Sequence, residues 1–346
     1  MFEKSVMLYL YVETPLHAGS GSSIGIIDLP IQRERVTQFP LVQASGLKGK
    51  LRAEAYAWDQ FVAQRDTLFA AELTRLKQDE NWKQKDDKEQ KREAERRARK
   101  QAAKELGLEA VFGPESDEAD AHAGALSPGD ARLLLFPVRS LVGVFAWTTC
   151  RTVLGRLQRD LAASGQSNSV TWALDNLPDN GGAWTVDDKS VVANGHVVLE
   201  EFSFKATAHA DVGTIANWLA QNALPQTDDY QYFRDELQTR LVILPEDDFR
   251  DFTQFATEVV ARIRIDQEKG TVAEGALWTE EHLPSDTVLY APLHASRPRT
   301  TNGPSHWKDV DDVLTFVRNL RLDRIQLGGD ETVGRGIVKL HVTGGA

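Results

Sequence analysis

Residues 131–150, ARLLLFPVRSLVGVFAWTTC, are the longest apolar stretch of the chain, and their reading decides the fold. Arg132, Pro137 and Arg139 interrupt the run, which falls far short of the roughly 20 unbroken apolar residues that a membrane-crossing helix needs. Between those breaks Leu, Phe, Val and Trp follow one another without polar alternation, so the stretch predicts strands buried on both faces. Toward the N-terminus, FGPESDEADAHAGALSPGD (112–130) has no periodicity and reads as a loop. From Thr67 to Leu106 the chain turns helical and highly charged, stopping at Gly107, and predicts one long exposed helix or a helical hairpin with a solvated face. Asp87 with Lys91, Glu93 with Arg97 and Glu95 with Arg99 are i,i+4 pairs in the favourable order. Ser45 is the expected N-cap of a helix through LKGKLRAEAYAWDQFVAQ (47–64), and SVMLYLYVE (5–13) is a strand ending at Thr14-Pro15.

Toward the C-terminus the same reading gives helices over 153–162, 211–224, 246–263 and around 307–320. HVVLEEFSFKA (196–206) reads as one strand, 164–190 as a loop with hairpin signals, and IDQEKGTVAEGALWTEEHLP (265–284) as a hairpin turning near Lys269-Gly270. The chain closes with IQLGGDETVGRGIVKLHVTGG (325–345), a strand, a glycine loop and a strand. Strands interleave with helices and no segment repeats, so the class is α+β.

Composition limits the function. With 346 residues, 41% hydrophobic and 26% charged, the chain can bury a sizeable core, and length alone suggests about two domains. Cys150 is the single cysteine and cannot form an internal disulfide, and the first residues lack the pattern of a secretory leader, so a reducing cytoplasm is expected. A net charge of −11 argues at first against nucleic acid, but Asp28–Arg52 carries five basic residues against two acidic ones. Ala223–Tyr290 has fifteen acidic against six basic, and Gly107–Ala131 has six acidic and none basic. One face can therefore meet a polyanion while others turn away from it.

Paired CxxC, HExxH and P-loop motifs are all missing. The glycines of 328–336 precede a strand, whereas a dinucleotide fingerprint must open a helix. That loop fits either a hairpin needing positive φ or a place where backbone amides approach a phosphate.

TPLHAGSG (14–21), GIIDLPIQRE (25–34), SGLKGKLR (45–52), LSPGDARLLLFPVRSLVGVFAWTTC (126–150) and LGGDETVGRGIV (327–338) together resemble the Cmr-type RAMP backbone subunit of the type III-B CRISPR effector complex. The family's helix start, glycine, two serines, leucine, lysine and glycine, is Ala44-Ser45-Gly46-Leu47-Lys48-Gly49 here. The resemblance implies an RRM-like, ferredoxin-type core over 1–346 with large insertions, among them the charged helix of 67–106 and a thumb-like β-hairpin at 262–284. It implies a subunit that polymerises along guide RNA with copies of itself and other subunits of the complex, and that cleaves bound target RNA at regular intervals. The aspartate of its loop motif is Asp28, implied as catalytic residue and as ligand of a weakly bound Mg²⁺ or other divalent cation. His17, Glu280 and Glu281 are implied as further catalytic groups or RNA contacts, and Lys48, Lys50, Arg52, Gly334, Arg335 and Gly336 as RNA-binding positions. RNA carries its own nucleophile, so an enzyme can cut it by holding the 2′-hydroxyl in line with the adjacent phosphorus. Competing expectations are a non-catalytic RNA-coating scaffold in which Asp28 only shapes a loop, the related Csm-type backbone subunit, and a metal-independent guide-processing endonuclease.

Overall fold

The computed structural model describes residues 2–344 except 23–24, 116–121, 168–169, 171, 174–180, 188, 267, 300–302 and 306. In chain order the elements are β1 (Lys4–Val12), β2 (Leu41–Val42), α1 (Ala44–Ala57), α2 (Asp59–Gln78), α3 (Asp87–Glu105), α4 (Leu108–Phe112), β3 (Leu126–Pro128), β4 (Ala131–Arg139) and β5 (Phe145–Thr149). Then come α5 (Arg151–Ala163), β6 (Gly182–Thr185), β7 (His196–Leu199), β8 (Phe202–Ala208), α6 (Ala210–Asn222), α7 (Gln231–Arg240), β9 (Leu241–Ile243) and α8 (Glu246–Phe255). The chain ends with β10 (Glu258–Ile265), β11 (Val272–His282), β12 (Val288–Ala295), α9 (Val310–Asn319), β13 (Arg324–Gln326) and β14 (Ile337–Thr343). Among the described residues no helix is long and apolar enough to cross a membrane.

Two compact units divide the chain. The larger comprises 5–47, 129–292 and 323–346. Its mixed sheet runs in the order β13-β14-β1-β12-β4-β5-β9-β6-β8-β7, with β2 beside β4. The apolar stretch that opened the sequence reading forms β4 and β5, paired antiparallel from Phe136–Thr148 to Arg139–Phe145. Leu134, Leu135, Phe136 and Trp147 are fully buried, as strands covered on both sides should be. β10 and β11 form a separate antiparallel hairpin, turned at Gly270 with φ of 65°.

Three elements of this unit depart from the sequence reading. The helix expected over 246–263 stops at Phe255, and β10 begins at Glu258. There Val259, Val260, Ile263 and Ile265 put β-branched side chains in nearly every turn, which favours a pleated strand over a helix. The single strand expected over 196–206 is two strands, β7 and β8, turned at Glu200 with φ of 49°. α7 had no apolar stripe to announce it; it is held by buried Arg234, whose Nη1 donates to the carbonyls of Pro225 and Thr227.

The smaller unit comprises 1–4, 48–128 and 293–322. The charged run forms a helical hairpin, α2 and α3, and α3 is not a free solvated arm. Ala94, Ala98 and Ala102 are fully buried at four-residue spacing, a stripe of small side chains that lets another helix approach closely. Lys91 pairs with Asp87 at 2.6 Å and Arg97 with Glu93 at 2.7 Å, whereas Arg99 turns away from Glu95 to Glu115 at 3.1 Å. Gly107 ends the hairpin with φ of 84°, and a Cβ there would lie 2.4 Å from the Trp307 ring, so both conformation and space demand glycine. α1 begins at Ala44, leaving Ser45 inside its first turn; the amide of Ala44 donates instead to Asp130 Oδ1 at 2.7 Å, a cap supplied from distant sequence.

Candidate active site

Pro30 has no amide to give a sheet ladder, and the loop around it docks by its neighbours onto β11. The amide of Leu29 donates to the Thr279 carbonyl at 3.0 Å and that of Glu281 to the Leu29 carbonyl at 3.0 Å. This short parallel pairing sets Asp28 opposite Thr279. Asp28 Oδ2 accepts from the Thr279 amide at 2.7 Å and from Thr279 Oγ1 at 2.9 Å, while the Asp28 amide donates back to Oγ1 at 3.0 Å. Those bonds hold the exposed carboxyl below its usual range, so it is ionised. Asp28 Oδ1 has no partner among the described residues, and one carboxylate oxygen faces solvent.

β11 presents its next carboxylates to opposite sides, as alternation along a strand requires. Glu281 is buried and spent: Oε1 accepts from Arg33 Nη2 at 2.5 Å and Thr257 Oγ1 at 2.9 Å, and Oε2 from the Ile31 amide at 3.0 Å. It therefore fixes the strand and the loop that carries Asp28. Glu280 is also buried, accepting from Trp278 Nε1 at 2.7 Å and Arg262 Nε at 2.9 Å. Arg262 reaches Asp330 Oδ2 at 3.2 Å, and His282 Nε2 lies 3.4 Å from that same oxygen. Burial holds the His282 imidazole below its usual range, and its Nδ1 has no partner among the described residues. Glu280, His282 and Asp330 offer ligand atoms within 4.8 Å of one another, the geometry of a cation site. The Arg262 guanidinium already touches both carboxylates, however, and supplies the positive charge there.

His17 Nδ1 sits 2.7 Å from the Glu281 carbonyl, which can only accept, so Nδ1 carries a proton and Nε2 is the nitrogen left outside that bond. Its ring centroid lies 5.4 Å from that of His282. The glycine loop presses on this residue: the Gly329 amide donates to the His17 carbonyl at 2.9 Å, and a Cβ on Gly328 would fall 2.1 Å from that oxygen. Close backbone approach and a φ of 75° explain Gly328, and a Cβ at Gly336 would lie 1.9 Å from the Leu327 carbonyl oxygen. Gly334 stands in open space and is exposed, beside half-buried Arg335, whose charge acts on Glu258 and His282.

Asp28, His17, Glu280, Glu281 and the glycine loop thus gather around β11. Lys48, Lys50 and Arg52 lie on the part of α1 that belongs to the smaller unit. Lys50 pairs with Glu54 at 2.9 Å, and Arg52 Nη2 donates to the Pro114 carbonyl at 3.1 Å. Lys48 has no hydrogen-bond partner among the described residues; burial, helped by the charges of Arg52 and Arg299, lowers its ammonium below the usual range. Sequence reasoning missed Thr279, Arg262, His282 and Asp330. Arg33, counted only in the basic stretch, was legible as charge but not as the counterion of Glu281.

Comparison with known proteins agrees with the resemblance. The RAMP superfamily matches residues 9–339. The chain is 34% identical over 337 residues to the CRISPR system Cmr endoribonuclease Cmr4 of Pyrococcus furiosus, covering 97% of this chain and 95% of the relative. It is 25% identical over 351 residues to the CRISPR system CMR subunit Cmr4 of Saccharolobus solfataricus, covering 96% and 94%. Among solved structures, oligomeric Cmr4 of P. furiosus aligns over 98% of both chains with a TM-score of 0.62 and 28% identity. A chain of the type III-B Cmr-beta complex bound to cognate target RNA shares the fold, with a TM-score of 0.63 at 21% identity over 99% of this chain and 98% of that one.

Proposed function

The chain belongs to the RAMP superfamily, and on that premise we propose that it is the backbone subunit of a type III-B Cmr ribonucleoprotein and its target-RNA endonuclease. In this reading copies of the chain polymerise along guide RNA in the cytoplasm with the other subunits, and each cuts the bound target once. The kinship with Cmr4 proteins along nearly the whole chain supports this over the Csm-type alternative.

The observation that carries the catalytic reading is the division of labour within one carboxylate. Asp28 Oδ2 is spent on Thr279, which fixes the group, and Oδ1 is left facing outward. An exposed, ionised carboxylate with one unspent oxygen suits Mg²⁺, which takes one or two protein ligands and keeps several waters. When bound, such a cation supplies Lewis-acid stabilisation of charge on the scissile phosphate. The residues of the chain do the rest: the Thr279 hydrogen bonds hold Asp28 still, Glu281 holds the loop, and His17, its Nδ1 engaged by the Glu281 carbonyl, takes or gives a proton through Nε2 in this reading. The attacking group is the target's own 2′-hydroxyl, with Asp28 either its base or the cation's ligand.

The assembled complex, given end-labelled target RNA, tests this. Cleavage requires a divalent cation, leaves a 2′,3′-cyclic phosphate and a 5′-hydroxyl, and is lost in Asp28→Asn while target binding persists. Undiminished cutting in excess chelator, or normal cutting by the variant, leaves the scaffold reading standing.

A further inference from the structure

α3 carries eight basic and five acidic residues in a chain whose net charge is −11, and its cations are not evenly spread. Arg92, Arg96 and Arg99 fall at i, i+4 and i+7, one face of a helix whose alanine stripe is buried on another. They line a cleft of about 660 Å³ with Arg52 and Tyr56 of α1, Glu95 and Glu115. The Arg99 guanidinium lies 4.2 Å from the Tyr56 ring centroid and that of Arg52 lies 5.8 Å from it.

Four guanidiniums thus converge against two lining carboxylates. Glu115 engages Arg99, and Glu93, outside the cleft, takes Arg96 at 2.9 Å. Arg92 has no ion pair among the described residues, and the cleft keeps an excess of positive charge. Every cation in it is arginine, whose planar fork matches two phosphate oxygens at once and which stacks on aromatic rings as an ammonium does not. The volume is that of a ligand larger than a lone phosphate ion. Arg99 stacks on Tyr56, and Phe61 meets the Tyr56 ring edge-on at 5.0 Å, so the site offers charge without a free platform for a base.

We propose that this arginine cleft binds the phosphodiester backbone of single-stranded RNA, independently of base sequence. The inference rests on the reading of the chain as an RNA-binding subunit and adds a contact that its residues toward Asp28 do not supply.

The test is fluorescence anisotropy of a labelled, unstructured single-stranded RNA against the full chain over a range of salt. Replacing Arg92, Arg96 and Arg99 together by Gln flattens the log–log salt slope by about 2, since each lost phosphate contact on a single strand removes about 0.7. Arg→Lys at the same three positions keeps the slope and loses part of the affinity, because charge survives and the fork does not. Arg75→Gln with Lys77→Gln, on α2 outside the cleft, leaves the slope unchanged. Circular dichroism confirms the helix content of each variant.

Four results overturn the proposal: an unaltered slope in the triple Gln variant, an equal fall in the α2 control, stabilisation of the wild type by inorganic phosphate with RNA binding indifferent to the three arginines, or loss of complex assembly with RNA binding intact. The third marks a free-anion site and the fourth a surface for an acidic protein. A wild-type chain that binds no RNA at all refutes the functional reading itself and this inference with it.

Discussion

The loop and hairpin around β11 and the helical pair α2–α3 are both crowded with charge, yet they use it in opposite ways. Around β11 the ionic groups are buried and consumed by one another: Glu281 by Arg33, Glu280 by Arg262, with Asp28 left exposed. In the helical pair the buried stripe is alanine, and the charges lie outside it in surface pairs. A carboxylate removed from the first region strands a partner in low dielectric, whereas one removed from the second is replaced by water. The same residue type should therefore be worth several kcal/mol in one place and tenths in the other.

Asp28→Asn marks the functional extreme of this contrast. The exposed group holds no core together, so thermal stability stays as in the wild type, while cleavage falls about a thousandfold, a loss of roughly 4 kcal/mol of transition-state stabilisation. Single-turnover cleavage by the assembled complex reads the rate, and a parallel melt of the free chain reads stability. A variant that cuts well but unfolds early would reduce Asp28 to a turn residue.

Glu281→Gln marks the structural extreme. It leaves the Arg33 guanidinium without its counterion, although the amide can still accept from Ile31. With side chains 3% and 15% exposed, the pair is buried enough for a cost of about 2–3 kcal/mol, read as a lower urea midpoint at unchanged slope. A midpoint within experimental error of the wild type would place this pair with the surface pairs of the helices and dissolve the contrast.

Thr279→Val lies between. It removes the hydroxyl that both donates to Asp28 Oδ2 and accepts from the Asp28 amide, and leaves the backbone bond at 2.7 Å in place. Losing part of the orientation should slow cleavage about tenfold, close to 1.4 kcal/mol, with stability little changed. Thr279→Ser restores the rate if the hydroxyl is what matters; equal activity in Val and Ser variants would show that the backbone amide suffices.

The two regions were also unequally legible in the sequence. Apolar runs and glycine stops gave the buried strands β1, β4 and β5 and the charged helices, because those signals are local. The resemblance pointed to Asp28, but Thr279 lies 251 residues away and carries no local mark of its role. Glu280 and Glu281 looked like one acidic pair, and only strand alternation, visible in three dimensions, separates the side chain paired with Arg262 from the one that Arg33 and the Ile31 amide tie to the loop. The solvated-arm reading of α3 counted charges and overlooked alanine, whose burial depends on a helix packed against it. Where a helix ends at Phe255 and a strand begins at Glu258, β-branching was present in the sequence but masked by the apolar periodicity preceding it.

The smallest expected effect tests the helical side of the comparison. Glu93 accepts from Arg96 Nε and Nη2 at 2.9 Å each and from Arg97 Nε at 2.7 Å, and the Arg96 bonds foremost hold its carboxyl down to about 2. For all those bonds, the arginines are 58% and 33% exposed, and pairs of this kind on a helix contribute about 0.3–0.5 kcal/mol each once solvent and side-chain entropy have acted. Glu93→Gln should therefore cost less than about 1 kcal/mol at pH 7. A carboxyl whose folded pKa is depressed stabilises the fold above its unfolded value, 4.5, and loses that contribution as pH falls toward about 2. The melting temperatures of wild type and variant should thus differ by a small constant amount from pH 7 down to 5 and draw together as the pH falls below 4.5. A gap as large as that of Glu281→Gln, or one that widens in acid, would mean that the helical pair depends on its charges as β11 does, and that alanine packing is not what holds it.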